Sequence, residues 1–258
     1  MAGSLIERTF NILEALAREP GGVNLQALAE SLRIPKSGTH RMLSEMIRLG
    51  YVRQDGTSSR YQLTSRLIAQ GFRYLSASGA DIVQPILDRL ARTTGELVRL
   101  GVVEDGNQTW IAKAQGTSSG LRYEPEMGVD VPLFCTASGH AMLACLSDAQ
   151  ALELVERQGL MDFSQYGPKA PRSSTELLER LQLVRQRGYA WVVESSVPGT
   201  SALAAPVRHF RDGRVLGVVS ITGPSVRLPE ERLHEMAPLL LGTVAEIAEA
   251  SPASELFG

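Results

Sequence analysis

The hydrophobic period of this chain changes once, near Gly95, and that change rules out a uniform fold. Before it, apolar residues recur every three or four positions. Ile6, Phe10, Leu13 and Ala17 form one stripe; Leu25, Leu28, Ala29 and Leu32 a second; Met42, Leu43, Met46 and Ile47 a third. After it the spacing drops to two. Val98, Leu100 and Val102 alternate in "LVRLGVV", and "EDGN" turns the chain into "QTWIAKAQ", a hairpin. A helical head thus precedes a body of interleaved strands and helices, which is an α+β pattern with a central sheet.

The head is closely punctuated. Ser4 and Glu7 have capping-box spacing, and Pro20-Gly21-Gly22 stops the first helix. Asn24 can cap a second helix. Pro35 opens a third in its first turn, where a missing N–H costs little, and Gly50 ends it. "YVRQ" and "RYQL" then flank the turn "DGTSS". Three short helices and a hairpin within residues 1–66 are the pattern of a winged helix-turn-helix. Residues 67–80 read as a linker helix. Its stripe of Leu67, Ile68, Phe72, Tyr74 and Leu75 is broad for a surface helix and calls for a partner surface. The body, 81–258, reads as helices near 81–94, 136–146, 148–158, 173–187 and 229–250, with late strands in "YAWVV", "TSALAAPV" and "RVLGVVSIT". The stretch 164–174 reads as loop, and there is no internal repeat.

Composition sets bounds. With 43% apolar and 21% charged residues, 258 residues can bury a sizeable core. No apolar run reaches the ~20 residues of a spanning helix, and the N-terminus lacks a signal-peptide layout. Two cysteines, Cys135 and Cys145, give no disulfide framework. The expectation is a soluble cytoplasmic protein with no membrane partner. Net charge divides unevenly: residues 1–66 carry +3 and the remainder −5. A basic head on an acidic body suggests different partners for the two parts.

The third helix holds the first candidate site. At ~100° per residue, Ser37, Arg41, Ser44 and Arg48 fall in one arc with His40 at its edge, and Lys36 precedes them. Thr39 falls opposite, with Met42, Leu43 and Met46. This polar set is read as free of acid. A donor-rich face of this kind can enter a DNA major groove. The bland alternative is a solvated helix, against which the hairpin, with Arg60 beside its tip, weighs.

Three segments taken together resemble the IclR family of bacterial transcription regulators. "LRIPKSGTHRMLSEMIRLGYV" looks like the family's recognition helix and first wing strand. "EMGVDVPLFCTASGHAMLACL" and "GTSALAAPVRHFRDGRVLGVVSITGP" resemble its effector-domain segments, in family order. Two positions depart from it. Gly38 and Thr39 stand where the family usually has Thr and Val, and Phe134 where it usually has His. The resemblance implies a winged head, a GAF-like effector domain and a homodimer or homotetramer on double-stranded operator DNA. The expected DNA contacts are Lys36, Ser37, Gly38, His40, Arg41, Ser44 and Arg60. The expected effector is a small organic acid, a carboxylate or aromatic acid, held by Met127, Leu133, Ala137, Ser138, Thr200, Ala202, Ser220 and Thr222.

Part of that site is readable physically. Ser220 and Thr222 lie two apart in an apolar strand, so both hydroxyls share one face and need partners. "TASG" opens a helix whose free N–H groups favour an anion. No Lys or Arg is evident there, so modest affinity is expected. Ser138 and His140, two apart on a helix, point away from each other and make no nucleophile–base pair. No metal-ligand spacing occurs, and Cys145, Trp110 and Trp191 read as core. The expectation is a regulator with no catalytic residues and no cofactor. Two rivals stay open: a DNA-binding protein whose body only oligomerises, and an enzyme with an interaction head.

Overall fold

The computed structural model describes residues 4–254 except 78–79, 119, 126, 128–129 and 160–165, and the side chains of 72–81 and 253 also lie outside the description. The expected roles of Phe72, Tyr74 and Leu75 therefore fall outside the described residues. The chain divides into two compact units, Met1–Ala77 and Ser78–Gly258.

The first unit holds α1 (Leu5–Ala17), α2 (Leu25–Ser31), α3 (Lys36–Arg48), β1 (Val52–Gln54), β2 (Tyr61–Leu63) and α4 (Ser65–Ala77). Local chemistry sets the boundaries. Ser4 and Glu7 complete the capping box of α1, and Asn24 caps α2 through the Ala27 N–H at 2.8 Å. Pro35 stands one place earlier than expected, as the N-cap of α3. β1 and β2 pair antiparallel, and a bridge between Val23 and Tyr61 adds a third edge to the wing. Asp55 accepts bonds from the Thr57 and Ser58 N–H groups, which shapes the wing tip. Ile12, Leu16, Leu28, Ile34, Met42, Leu43, Met46, Val52 and Tyr61 form the core. The stripe through Ile6 and Phe10 is not the buried one. Those two residues are exposed, while Ile12 and Leu16 of the same helix face inward.

The second unit is built on a five-stranded antiparallel sheet. Its strands are β3 (Leu97–Glu104), β4 (Asn107–Gln115), β5 (Ala190–Val193), β6 (Thr200–Arg208) and β7 (Val215–Pro224). The spatial order is β4-β3-β7-β6-β5, so both β3 and β7 have neighbours on two sides. Helices α5 (Ala80–Thr94) and α9 (Glu230–Ala250) cover one face, packing on Val98, Leu100, Leu203, Ala205, Val219 and Ile221. The other face carries α6 (Ala137–Leu143), α7 (Asp148–Arg157) and α8 (Ser174–Arg187), with Ala202, Ala204 and Val218 beneath them. A 3-10 turn, Ser251–Ala253, follows α9. α6 is shorter than the 136–146 expected: Thr136 is its N-cap, and the Cys145 and Leu146 N–H groups already bond three residues back. Gly139 lets α6 come close to the preceding loop, since a Cβ there would lie 2.1 Å from the Leu133 carbonyl oxygen. Glu96, 4% exposed, is clasped by Arg227 through two bonds of 2.7 Å, tying the start of β3 to the turn after β7.

Candidate functional site

In the first unit, Lys36, Ser37, His40, Arg41 and Ser44 are exposed on α3, and Gly38 is partly exposed. Thr39 is 0% exposed and its hydroxyl donates to the Pro35 carbonyl at 3.2 Å. A Cβ at Gly38 would meet nothing closer than Ile34 at 3.8 Å, so no packing demands a glycine there. The face is not free of acid. Glu45 lies about 40° around the helix from Arg41. It binds the Arg48 guanidinium, with one bond of 2.9 Å from Nε, and its carboxyl is held low by that partner. The three-residue spacing that brings Arg48 beneath Glu45 takes this cation out of the free set. Lys36 donates to the Gln26 amide oxygen on α2 at 3.2 Å, and Arg60 donates to the Gly22 carbonyl at 3.3 Å. The helix and wing thus present donors and cations from one small unit.

In the second unit, β6 and β7 run side by side with Ala202 opposite Thr222 and Ala204 opposite Ser220. Directly opposed residues share a face, so Thr200, Ala202, Ser220 and Thr222 all lie on the side covered by α6. α6 packs over β6 and β7 with Ala137 and Ser138 in its first turn. Ser138, Ser220 and Thr222 are 2%, 2% and 4% exposed, and none of their hydroxyls has a protein partner. Such orphaned hydroxyls cost on the order of 1–3 kcal/mol each. Thr200 differs, since its hydroxyl donates to the Val197 carbonyl at 2.8 Å. Leu133 is fully buried beside α6. Met127 is half-buried in the segment before α6, which is anchored by the Thr109–Asp130 bridge and the Val131–Gln108 backbone bond. The fold therefore brings Ala137, Ser138, Ala202, Ser220 and Thr222 to one interface.

The expectation that no cation reaches this region is corrected by Arg99. It sits on β3 directly opposite Ser220, in phase with Leu97 and Gly101, and is 8% exposed. Its guanidinium stacks 3.9 Å from the centroid of the Trp110 ring, with Tyr123 at 6.0 Å. Its Nε has no hydrogen-bond partner, and no carboxylate pairs with it among the described residues. Burial draws its pKa down to about 10, against the opposing pull of Tyr123, so it stays cationic at neutral pH. Gln108 is fully buried with both amide atoms unpartnered. Its amide lies across Gly101, where a Cβ would stand 2.6 Å from Nε2. The sequence signal for Arg99 was a charge at the centre of an apolar strand; Trp110, which stacks on it, pairs with Gly101 two residues further along β3.

His140 does not serve Ser138. Its Nε2–H donates to the Phe134 carbonyl at 2.7 Å, and burial lowers its pKa to about 4. Cys135 is a buried free thiol. Cys145 is only partly core, because it accepts from Arg208 at 2.9 Å. Trp191 likewise is half-buried, with its N–H donated to Glu230. Among the described residues no group of His, Cys, Asp or Glu could hold a metal ion, and no helix is long and apolar enough to cross a membrane.

Comparison with known proteins matches both units. Residues 5–56 match the IclR helix-turn-helix domain, and residues 76–249 match the bacterial transcriptional regulator IclR C-terminal domain. The transcriptional repressor IclR of Escherichia coli is 30% identical over 95% of this chain and 89% of its own length. The glycerol operon regulatory protein of Streptomyces coelicolor is 33% identical over 95% of this chain and 93% of its own. An IclR transcriptional regulator from Alicyclobacillus acidocaldarius superposes with a TM-score of 0.82 at 26% identity, covering 95% of this chain and 97% of that one. An IclR homologue from Microbacterium hydrocarbonoxydans, solved with 4-hydroxybenzoate, shares the fold at 19% identity and a TM-score of 0.75, over 97% and 100% of the two chains. With a helix-turn-helix carrying an exposed cationic face and an effector-type domain following it in sequence, the chain belongs to the IclR family of DNA-binding transcription regulators.

Proposed function

We propose that this regulator is governed by a small organic acid bound between α6 and β7. Residues 1–66 form the winged head, 67–80 the linker and 81–258 the effector and oligomerisation domain. The head takes double-stranded operator DNA through Lys36, Ser37, Gly38, His40, Arg41, Ser44 and Arg60, and the protein acts in the cytoplasm as a homodimer or homotetramer. Ala137, Ser138, Thr200, Ser220 and Thr222 surround the ligand's polar groups, and Met127, Leu133 and Ala202 give apolar walls. The observation that carries this reading is the set of buried hydroxyls without protein partners on both sides of one interface. Native interiors rarely leave such groups unsatisfied, so a ligand that satisfies them is favoured.

The test is a thermal-shift screen of small carboxylates and aromatic acids, with 4-hydroxybenzoate among the probes. Calorimetry follows on any acid that stabilises the protein. Ser220→Ala combined with Thr222→Val should weaken that acid about tenfold or more while leaving operator binding intact. Undiminished affinity would sink the site. A melting temperature indifferent to every acid would favour a body that only oligomerises.

A further inference from the structure

Arg99 is the least explained charge in the second unit. An arginine buried in the middle of a sheet normally has a carboxylate beside it, because an unpaired interior charge is costly. Glu96, the acid nearest in sequence and itself buried, is committed to Arg227 by two bonds of 2.7 Å. Asp130 accepts from the Thr109 hydroxyl. Arg99 is instead cushioned on the Trp110 ring at 3.9 Å. Stacking covers a guanidinium's face but leaves its in-plane N–H fork free for a planar anion. Directly across the strand pair lies the unpartnered Ser220 hydroxyl, with Thr222 diagonal to it. From β4, the unpartnered Gln108 amide lies across Gly101, two residues along β3 from Arg99, and offers a neutral donor and acceptor.

We infer that Arg99 is the counter-charge for the effector's carboxylate, making this regulator selective for a carboxylate anion over its neutral isostere. The inference rests on the effector site proposed above and assigns its ligand class. The carboxylate lies in the plane of the guanidinium, Ser220 donates to it, and Trp110 holds the cation in place from behind.

Matched pairs test the assignment: benzoate with benzamide, 4-hydroxybenzoate with 4-hydroxybenzamide, and pyruvate with pyruvamide. Each is read by thermal shift and then calorimetry on wild type, Arg99→Met, Arg99→Lys and the Ser220→Ala/Thr222→Val double variant. In wild type at least one acid should raise the melting temperature, and its amide at equal concentration should not. Arg99→Met should bind that acid about tenfold or more weakly. Its ligand-free melting temperature should not fall below wild type, since an apolar side chain of similar volume replaces an unpaired charge. Arg99→Lys should retain part of the acid affinity, and it carries the test if Arg99→Met does not fold. Amides binding as tightly as acids, or acid affinity unchanged without Arg99, would overturn the assignment. If the hydroxyl variant alone loses the acid, only the counter-charge role fails. If wild type binds none of the acids, or if neither variant loses one that binds, the effector site itself fails.

Discussion

The imidazole of His140 is 1% exposed, and its ring N–H is spent on the Phe134 carbonyl at 2.7 Å. Burial is the largest cause of its low pKa, nearby Arg180 adds to it, and the Phe134 bond opposes both. Its ordinary value of 6.5 falls to about 4 in the folded protein. The unfolded chain therefore takes up a proton first as pH drops. The stability from keeping this ring neutral is whole above pH 6.5, declines through the window between, and is gone below about 4. The total is on the order of 3 kcal/mol. Urea unfolding at neutral pH and in that window should show a smaller loss in His140→Gln than in wild type. Single residues were unevenly legible. Thr39 could be placed inside from helix phase alone, because one turn fixes which side a residue faces. Arg99 could not be placed, because β3 is covered on both faces. Alternation then no longer separates core from solvent.

At the scale of elements, α3 separates an exposed donor face from a buried scaffold. Arg41 is exposed on the donor face, and Thr39 is enclosed against Met42 and Leu43. Arg41→Ala should cost about 1–3 kcal/mol of operator affinity without unfolding the head. Thr39→Val, which keeps the shape and surrenders one bond to Pro35, should bind nearly as wild type. A mobility shift on an operator found by selection reads both, and the reverse ranking would show the helix turned the other way. Helix and strand limits were legible to within a few residues because their punctuation is local: Ser4, Asn24, Ser147 and Ser173 each cap a helix, and Gly188 ends one at positive φ. Errors arose where two patterns overlap on one helix. α1 is apolar on more than one side, so the stripe through Ile6 and Phe10 concealed the one through Ile12 and Leu16. On α3, Glu45 shares the arc of the cations it partly neutralises.

On the scale of the whole molecule, the first unit leaves Leu5, Ile6 and Phe10 of α1 and Ile68 of α4 exposed, with Leu67 at the margin. Large apolar side chains gathered in one small unit favour association. Light scattering at micromolar concentration should give a mass above the 27.9 kDa of one chain, and Ile68→Glu should lower it. The sheet order was not legible, because the β3–β7 pairing joins residues over a hundred positions apart and no local pattern encodes it. That order has a consequence for descent. The face under α5 and α9 is largely apolar, with the Ser201 hydroxyl as an unpartnered exception, whereas Arg99, Gln108, Ser138, Ser220 and Thr222 bring most of the polar side chains with unpartnered atoms to the face under α6. On the effector site proposed above, substitutions beneath α6 would exchange one metabolite for another while α5 and α9 keep the sheet intact. With the site placed there, a lineage built on this sheet would acquire new signals by changing a handful of inward residues, and need not re-evolve its fold to do so.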